Sequence, residues 1–277
     1  MTRGATPPPA GRRLLLQLAL AGALAPWCAP VRAQAPASTW RWGYINNYKP
    51  FSWWDNDSAT LKGFHVDIGQ ALTQHWGVTS SARHGTYADM LLALRRQEID
   101  AIGNFFTRVP DLLGEFAFSN GLQDFRLMLV QHEDDDRTFL TLDEIPVERL
   151  GLLANTTVED QIQAAMGKGY RAYKSIDAAL DDLARRRIDA VIEEGLIVEH
   201  AIHQGRLPLK TTTPMSAPVR LGMLLPKGQS ERVTRINQGL HTIRENGSVA
   251  RISQRWFGYD VTQRRTAGTY INSLLPE

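Results

Sequence analysis

The spacing of apolar residues divides this chain into helix-like and strand-like stretches. Phe64, Ile68, Leu72 and Trp76 recur every fourth residue and predict an amphipathic helix that stops at Gly77, where a left-handed residue is wanted. Val233, Ile236, Leu240 and Ile243 predict another, ending at Asn246-Gly247, and Val249, Ile252 and Trp256 a third. Short apolar runs at 42–45, 127–130 and 221–225 read as strands. Strand-like and helix-like stretches alternate along the rest of the chain, which predicts an α/β fold.

Two stretches share one pattern. Leu91-Leu92-Ala93-Leu94-Arg95-Arg96 leads through Gln97-Glu98 into Ile99-Asp100-Ala101-Ile102, and Leu180-Asp181-Asp182-Leu183-Ala184-Arg185 leads through Arg186-Arg187 into Ile188-Asp189-Ala190-Val191. Each reads as a helix with a basic end, a short turn and a buried strand. Two well-separated copies predict two α/β lobes of similar build, because a solenoid needs at least three units. The runs at 127–130 and 221–225 bracket the second copy and are the expected crossings between lobes. The expected division is therefore an export signal at 1–33, a first lobe at 34–130 and 222–262, a second at 131–221, and a tail at 263–277.

The chain has 277 residues, of which 43% are hydrophobic and 22% charged, a composition that excludes collagen-like, disulfide-scaffold and disordered classes. Arg3, Arg12 and Arg13 precede an apolar run at 14–27, and no acidic residue occurs before Asp55. Small residues then offer cleavage after Ala33 or Ala35; Ala33 is preferred, since the other cut starts the product with Pro36. The run is shorter than the ~20 residues that span a bilayer, so a secretory signal, Sec or twin-arginine in type, is expected. Export to the periplasm follows. Removing residues 1–33 takes away four arginines and the one cysteine, leaving 27 basic against 29 acidic side chains. No basic stripe for nucleic acid remains, and no disulfide.

Tyr48-Lys49-Pro50-Phe51 and Gly63-Phe64-His65-Val66-Asp67-Ile68 resemble the opening of the bacterial extracellular solute-binding proteins, family 3, the polar amino-acid type. Ile99-Asp100-Ala101-Ile102 with Phe116-Ala117-Phe118-Ser119, then Asn155-Thr156-Thr157, Asp189-Ala190-Val191-Ile192 and Trp256-Phe257-Gly258 are similar to its later blocks, in order. The resemblance implies a two-lobed periplasmic-binding-protein fold of type II, with a two-strand hinge and a ligand cleft between the lobes. It also implies a monomer that binds a small molecule, an amino acid or amine, and delivers it to the membrane permease of an ABC transporter. No catalytic residue, cofactor or metal is implied.

The same resemblance assigns candidate ligand-binding residues. Tyr48 and Tyr87 match two aromatic residues that sandwich the ligand; a ring buries apolar surface and attracts a cation, worth about 0.5–2 kcal/mol. Asn104, Phe105 and Thr107 match a loop whose small polar residues bond the amino-acid head group, although Phe105 sets a bulky ring there. Thr156 and Thr157 open a predicted helix whose free N–H groups suit a carboxylate, while Thr156 with Glu159 also spells a capping box that satisfies those donors internally. Glu194 matches the acid that pairs with the ligand ammonium, and Glu193 stands one register step away. Leu112 occupies the position of the family's carboxylate-binding arginine, and Ile45 that of a common acid. Arg108 is the candidate substitute. The expected ligand is then an amine or other cation, or an amino acid held differently.

Other constellations carry less. His132-Glu133-Asp134-Asp135-Asp136 lacks the spaced ligands of a calcium loop, and Glu199, His200 and His203 lack a further zinc ligand, so a solvated loop and a surface helix are expected. A dehydratase using Glu193 or Glu194 as a buried acid is the enzyme alternative, and a ligand-sensing partner of a separate membrane receptor is the other.

Overall fold

The computed structural model describes residues 39–122 and 124–263, together with 1, 2 and 4. The rest of the expected export signal, its cleavage point at Ala33 and the tail beyond Gln263 lie outside the described residues. Among the described residues no helix is long and apolar enough to cross a membrane.

The chain opens with β1 (Trp40–Ile45), a hairpin of β2 (Trp53–Asp55) and β3 (Thr60–Lys62), helix α1 (Phe64–His75), β4 (Ser80–Gly85) and α2 (Tyr87–Arg95). It continues through β5 (Ala101–Thr107), α3 (Pro110–Glu115), β6 (Phe116–Phe118) and β7 (Asp124–Phe125). A second group follows: β8 (Leu127–His132), β9 (Leu150–Leu153), α4 (Thr157–Met166), β10 (Arg171–Tyr173) and α5 (Ile176–Ala184). It ends with β11 (Ala190–Glu194), α6 (Gly195–Gly205) and β12 (Leu209–Pro214). The chain then returns through β13 (Val219–Pro226), α7 (Ser230–Glu245) and α8 (Ser248–Phe257).

Two sheets result, and they share a plan. The first runs β4-β1-β5-β13-β6, with β7 on β13; the second runs β10-β9-β11-β8-β12. In each, three parallel strands meet one antiparallel neighbour: β13 beside β5, and β8 beside β11. Each sheet is covered by apolar clusters. Trp42, Phe64, Ile68, Leu72 and Ile236 form one core of the first lobe, and Met90, Leu94, Ile99 and Phe116 another. In the second lobe Leu150, Leu152, Ile162 and Ile192 group together, as do Leu180, Leu183, Val191 and Val198. The protein is a two-lobed α/β structure.

The two runs expected to be crossings are instead interior strands. β8 pairs with both β11 and β12, and β13 with β5, β6 and β7. The sheets hand over at Arg126 and between Pro214 and Val219. The physical reason is plain: a strand with partners on both edges and helices on both faces reads as one continuous apolar run. The helix carrying Glu199, His200 and His203 is not a surface helix either. Leu196 on α6 belongs to the main core of the first lobe, and His200 Nδ1 lies 2.9 Å from the carbonyl of Trp256 on α8.

Candidate functional site

The cleft side of the first lobe is built by the loop after β1. Ser52 Oγ donates to the Ile45 carbonyl at 2.5 Å, and the Tyr48 N–H donates to Ser52 O at 2.8 Å. This tight fold holds Tyr48 against Phe51, with ring centroids 4.9 Å apart. Phe51 in turn stacks on His65 at 4.6 Å, and Phe105 meets the same imidazole edge-on at 4.9 Å. Burial pushes the His65 imidazole down to about 3, so it is neutral near pH 7.

Those rings wall a cavity of 480 Å³. Tyr48, Phe51, His65, Phe105, Thr107 and Leu112 line it from the first lobe, with Tyr87 and Phe106 beside them. Phe125 and Glu194 close it at the hinge and at the end of β11. Glu194 is the one carboxylic acid among the described lining residues, and no lysine or arginine is among them. Glu194 is only 6% exposed. Burial pushes its carboxyl up to about 8, and the neighbouring Glu193 adds to the effect. The Glu193 carboxyl is also raised by burial; it accepts the Glu194 N–H at 2.7 Å and is not among the cavity's lining residues. Tyr48 is raised as well, first by burial and then by Glu194 and Glu193.

Five candidates thus come together: Tyr48, Tyr87, Phe105, Thr107 and Glu194. Asn104 does not join them. It is fully buried, its Oδ1 accepts the Ile45 N–H at 2.8 Å, and its Nδ2 donates to Ser52 Oγ at 2.8 Å. Asn104 therefore stitches the loop carrying Tyr48 to β5 and leaves no free edge for a head group. Arg108 is also turned away: Nη2 donates to the Ser119 carbonyl at 2.7 Å, with the guanidinium 5.7 Å from the Phe118 ring centre.

Thr156 is the N-cap of α4. Its Oγ1 accepts the Glu159 N–H at 3.1 Å and donates to the Leu153 carbonyl at 2.9 Å. The Glu159 carboxylate reaches Asn155 N at 2.7 Å rather than Thr156 N, so the expected capping box is displaced by one residue. The Thr157 side chain lies outside what the structure describes. Phe51, His65, Phe106 and Phe125 complete the walls and were not singled out by sequence; Phe51 and His65 lay inside the motifs that carry the resemblance.

A second cavity of 640 Å³ lies on the other side of Glu194, lined by Arg108, Arg126, Glu199, Arg220, Arg244 and Tyr259 among others. It is larger, yet much of its polar lining is already engaged. Arg108 and Arg244 donate to the carbonyls of Ser119 and Leu122, and Glu199 accepts from Thr211 and Tyr259. The ring-walled cavity, which gathers Tyr48, Tyr87, Phe105 and Thr107 around Glu194, is the stronger candidate. Among the described residues no cluster of three or more His, Cys, Asp or Glu is placed to hold a metal ion.

Comparison with known proteins agrees with this architecture. The L-cystine-binding protein TcyJ of Escherichia coli (strain K12) is 26% identical over 222 residues, covering 80% of this chain and 83% of that protein. The L-arginine-binding protein of Pseudomonas aeruginosa is 26% identical over 261 residues, covering 88% and 98%. The crystal structure of the L-cystine solute receptor of Neisseria gonorrhoeae, unliganded and open, has a TM-score of 0.70 at 20% identity, covering 82% of this chain and 95% of that one. A polar amino acid uptake transporter substrate-binding protein from Streptococcus thermophilus gives 0.73 at 19%, covering 81% and 88%; both structures speak to fold. The profile of one family matches residues 40–259, from the first strand to just past the last helix. The chain belongs to the bacterial extracellular solute-binding proteins, family 3.

Proposed function

We propose that this protein works outside the cytoplasm as a monomer, captures a small amino-acid-like or amine solute between its lobes, and hands it to the permease of an ABC importer. The observation that carries this reading is the 480 Å³ cavity of aromatic walls that ends on the buried carboxyl of Glu194. Its size suits one small solute, and its aromatic and apolar walls with a few polar groups and one acid have the pattern of a ligand pocket. The dehydratase alternative needs a cation to hold a carboxylated substrate, and among the described lining residues no lysine or arginine supplies one.

The test is a thermal-shift screen of the processed protein against amino acids, polyamines and quaternary amines, with substrate turnover followed in parallel. A true solute at about 100 times its Kd adds roughly 2.7 kcal/mol of stability. Stabilisation without turnover supports the receptor reading. If no small solute moves the melting temperature, that reading fails.

A further inference from the structure

The ring-walled cavity is chemically one-sided. An α-amino acid brings an ammonium and a carboxylate, and both must find partners when the cavity closes over them. Glu194 meets the first. For the second, the described lining offers no cation: beside the apolar Leu112 and Val109 it has uncharged polar side chains, among them those of Asn46, Asn47, Tyr48, Tyr87 and Thr107. A carboxylate held there without a cation is costly, because neutral donors replace the lost water and offset the buried charge only in part.

Two other candidate partners for a carboxylate are already committed. Arg108 spends its guanidinium on the Ser119 carbonyl and the Phe118 ring, and it lines the opposite cavity. The start of α4, where a helix dipole attracts anions, carries an anion of its own: Glu159 accepts the Asn155 N–H at 2.7 Å and the Tyr170 hydroxyl at 3.1 Å. Meanwhile the aromatic walls present faces that attract cations, most strongly where water is excluded.

We infer that the cavity selects an organic cation without a carboxylate, an amine, guanidine or quaternary ammonium with an uncharged remainder, over the corresponding α-amino acid. This rests on the reading of the cavity as the solute site, and it goes further by excluding the zwitterion as the preferred occupant. The cation sits with its charge toward Glu194 and its remainder among the rings of Tyr48, Tyr87, Phe105 and Phe106.

Isothermal titration of the processed wild-type protein with matched pairs tests this: isoamylamine and L-leucine, phenethylamine and L-phenylalanine, choline and glycine betaine. The expected result is that at least one cation binds, and that each cation that binds does so tenfold or more tightly than its carboxylated partner. A smaller preference, a preference for the carboxylated member, or no binding across the series overturns the inference. An amino acid that binds while its amine does not leaves the receptor reading standing, which separates the two failures. Glu194→Gln, checked by circular dichroism for its fold, is expected to weaken the bound cation at least tenfold; undiminished affinity removes the proposed anchor.

Discussion

Glu194 is a carboxylic acid held where water hardly reaches, and burial with Glu193 alongside raises its folded-state value from 4.5 to about 8. The folded protein therefore keeps this proton more tightly than the unfolded chain. Stability of the ligand-free protein falls as pH rises from about 4.5 towards 8, and the loss is complete above 8. A bound cation reverses the preference, since it requires the ionised form. Its affinity is expected to rise about tenfold per pH unit between pH 6 and 8 and to flatten above, with one proton released on binding. Titration in buffers of different ionisation enthalpy reads that proton directly, and Glu194→Gln is expected to abolish the release. How far such residues were legible depended on register. Tyr48 lies in one of the ordered motifs and Glu194 two residues past another, so their neighbourhood was readable from sequence, whereas Tyr87 lies in none. The choice between Glu193 and Glu194 turns on a single strand step, and only pairing with Leu127 and Met128 on β8 fixes it. The placement of Asn104 was not legible, because its partners, Ile45 and Ser52, lie more than fifty residues upstream, beyond any local pattern.

At the scale of elements, the two copies of the internal repeat share more than their apolar spacing. Gln97 and Arg186 occupy equivalent turn positions with φ of 54° and 58°, the left-handed region. Each turn closes alike: Gln97 N–H to Leu94 O and Glu98 N–H to Ala93 O in one, Arg186 N–H to Leu183 O and Arg187 N–H to Asp182 O in the other. The aspartate of each Ile-Asp-Ala then clasps an arginine at the start of the neighbouring parallel strand. Arg41 Nη2 lies 2.7 Å from Asp100 Oδ1, and Arg149 Nη2 lies 2.5 Å from Asp189 Oδ1. Burial pushes both carboxyls up, but the arginine bonds outweigh it and hold each below the usual carboxylate range. The clasps therefore stabilise the protein above the ordinary carboxylate pKa and are lost as pH falls through the lowered folded values. Asp100→Asn and Asp189→Asn are each expected to cost about 1–3 kcal/mol in urea unfolding at pH 7, the difference from wild type shrinking in acid. The repeat itself was visible in the sequence. Its purpose was not, because the arginines stand 59 and 40 residues away.

At the scale of the whole molecule, the duplication makes two α/β lobes legible in the sequence, while the passages between them lie a few residues outside the apolar runs expected to be crossings. The pairing of β8 inside the second sheet and of β13 inside the first leaves only short passages between lobes. α6 adds a third link, since Leu196 packs into the core around Trp42 and Phe64. A ligand anchored on Glu194 therefore touches the strand from which that helix springs.

The return of β13 to the first sheet has a consequence in time. Residues 127–214 contain every strand of the second sheet, so that lobe can assemble from one continuous piece of chain. The first sheet cannot: between β5 and β6 it has a vacancy that is filled by Val219–Pro226, more than a hundred residues later than β5. Closing so long a loop is slow in entropy terms and postpones the ordering of that sheet. Pulse-labelled hydrogen exchange during refolding is expected to protect β8, β9 and β11 before β1 and β5. The lobe that comes first in the sequence is then the lobe that is finished last.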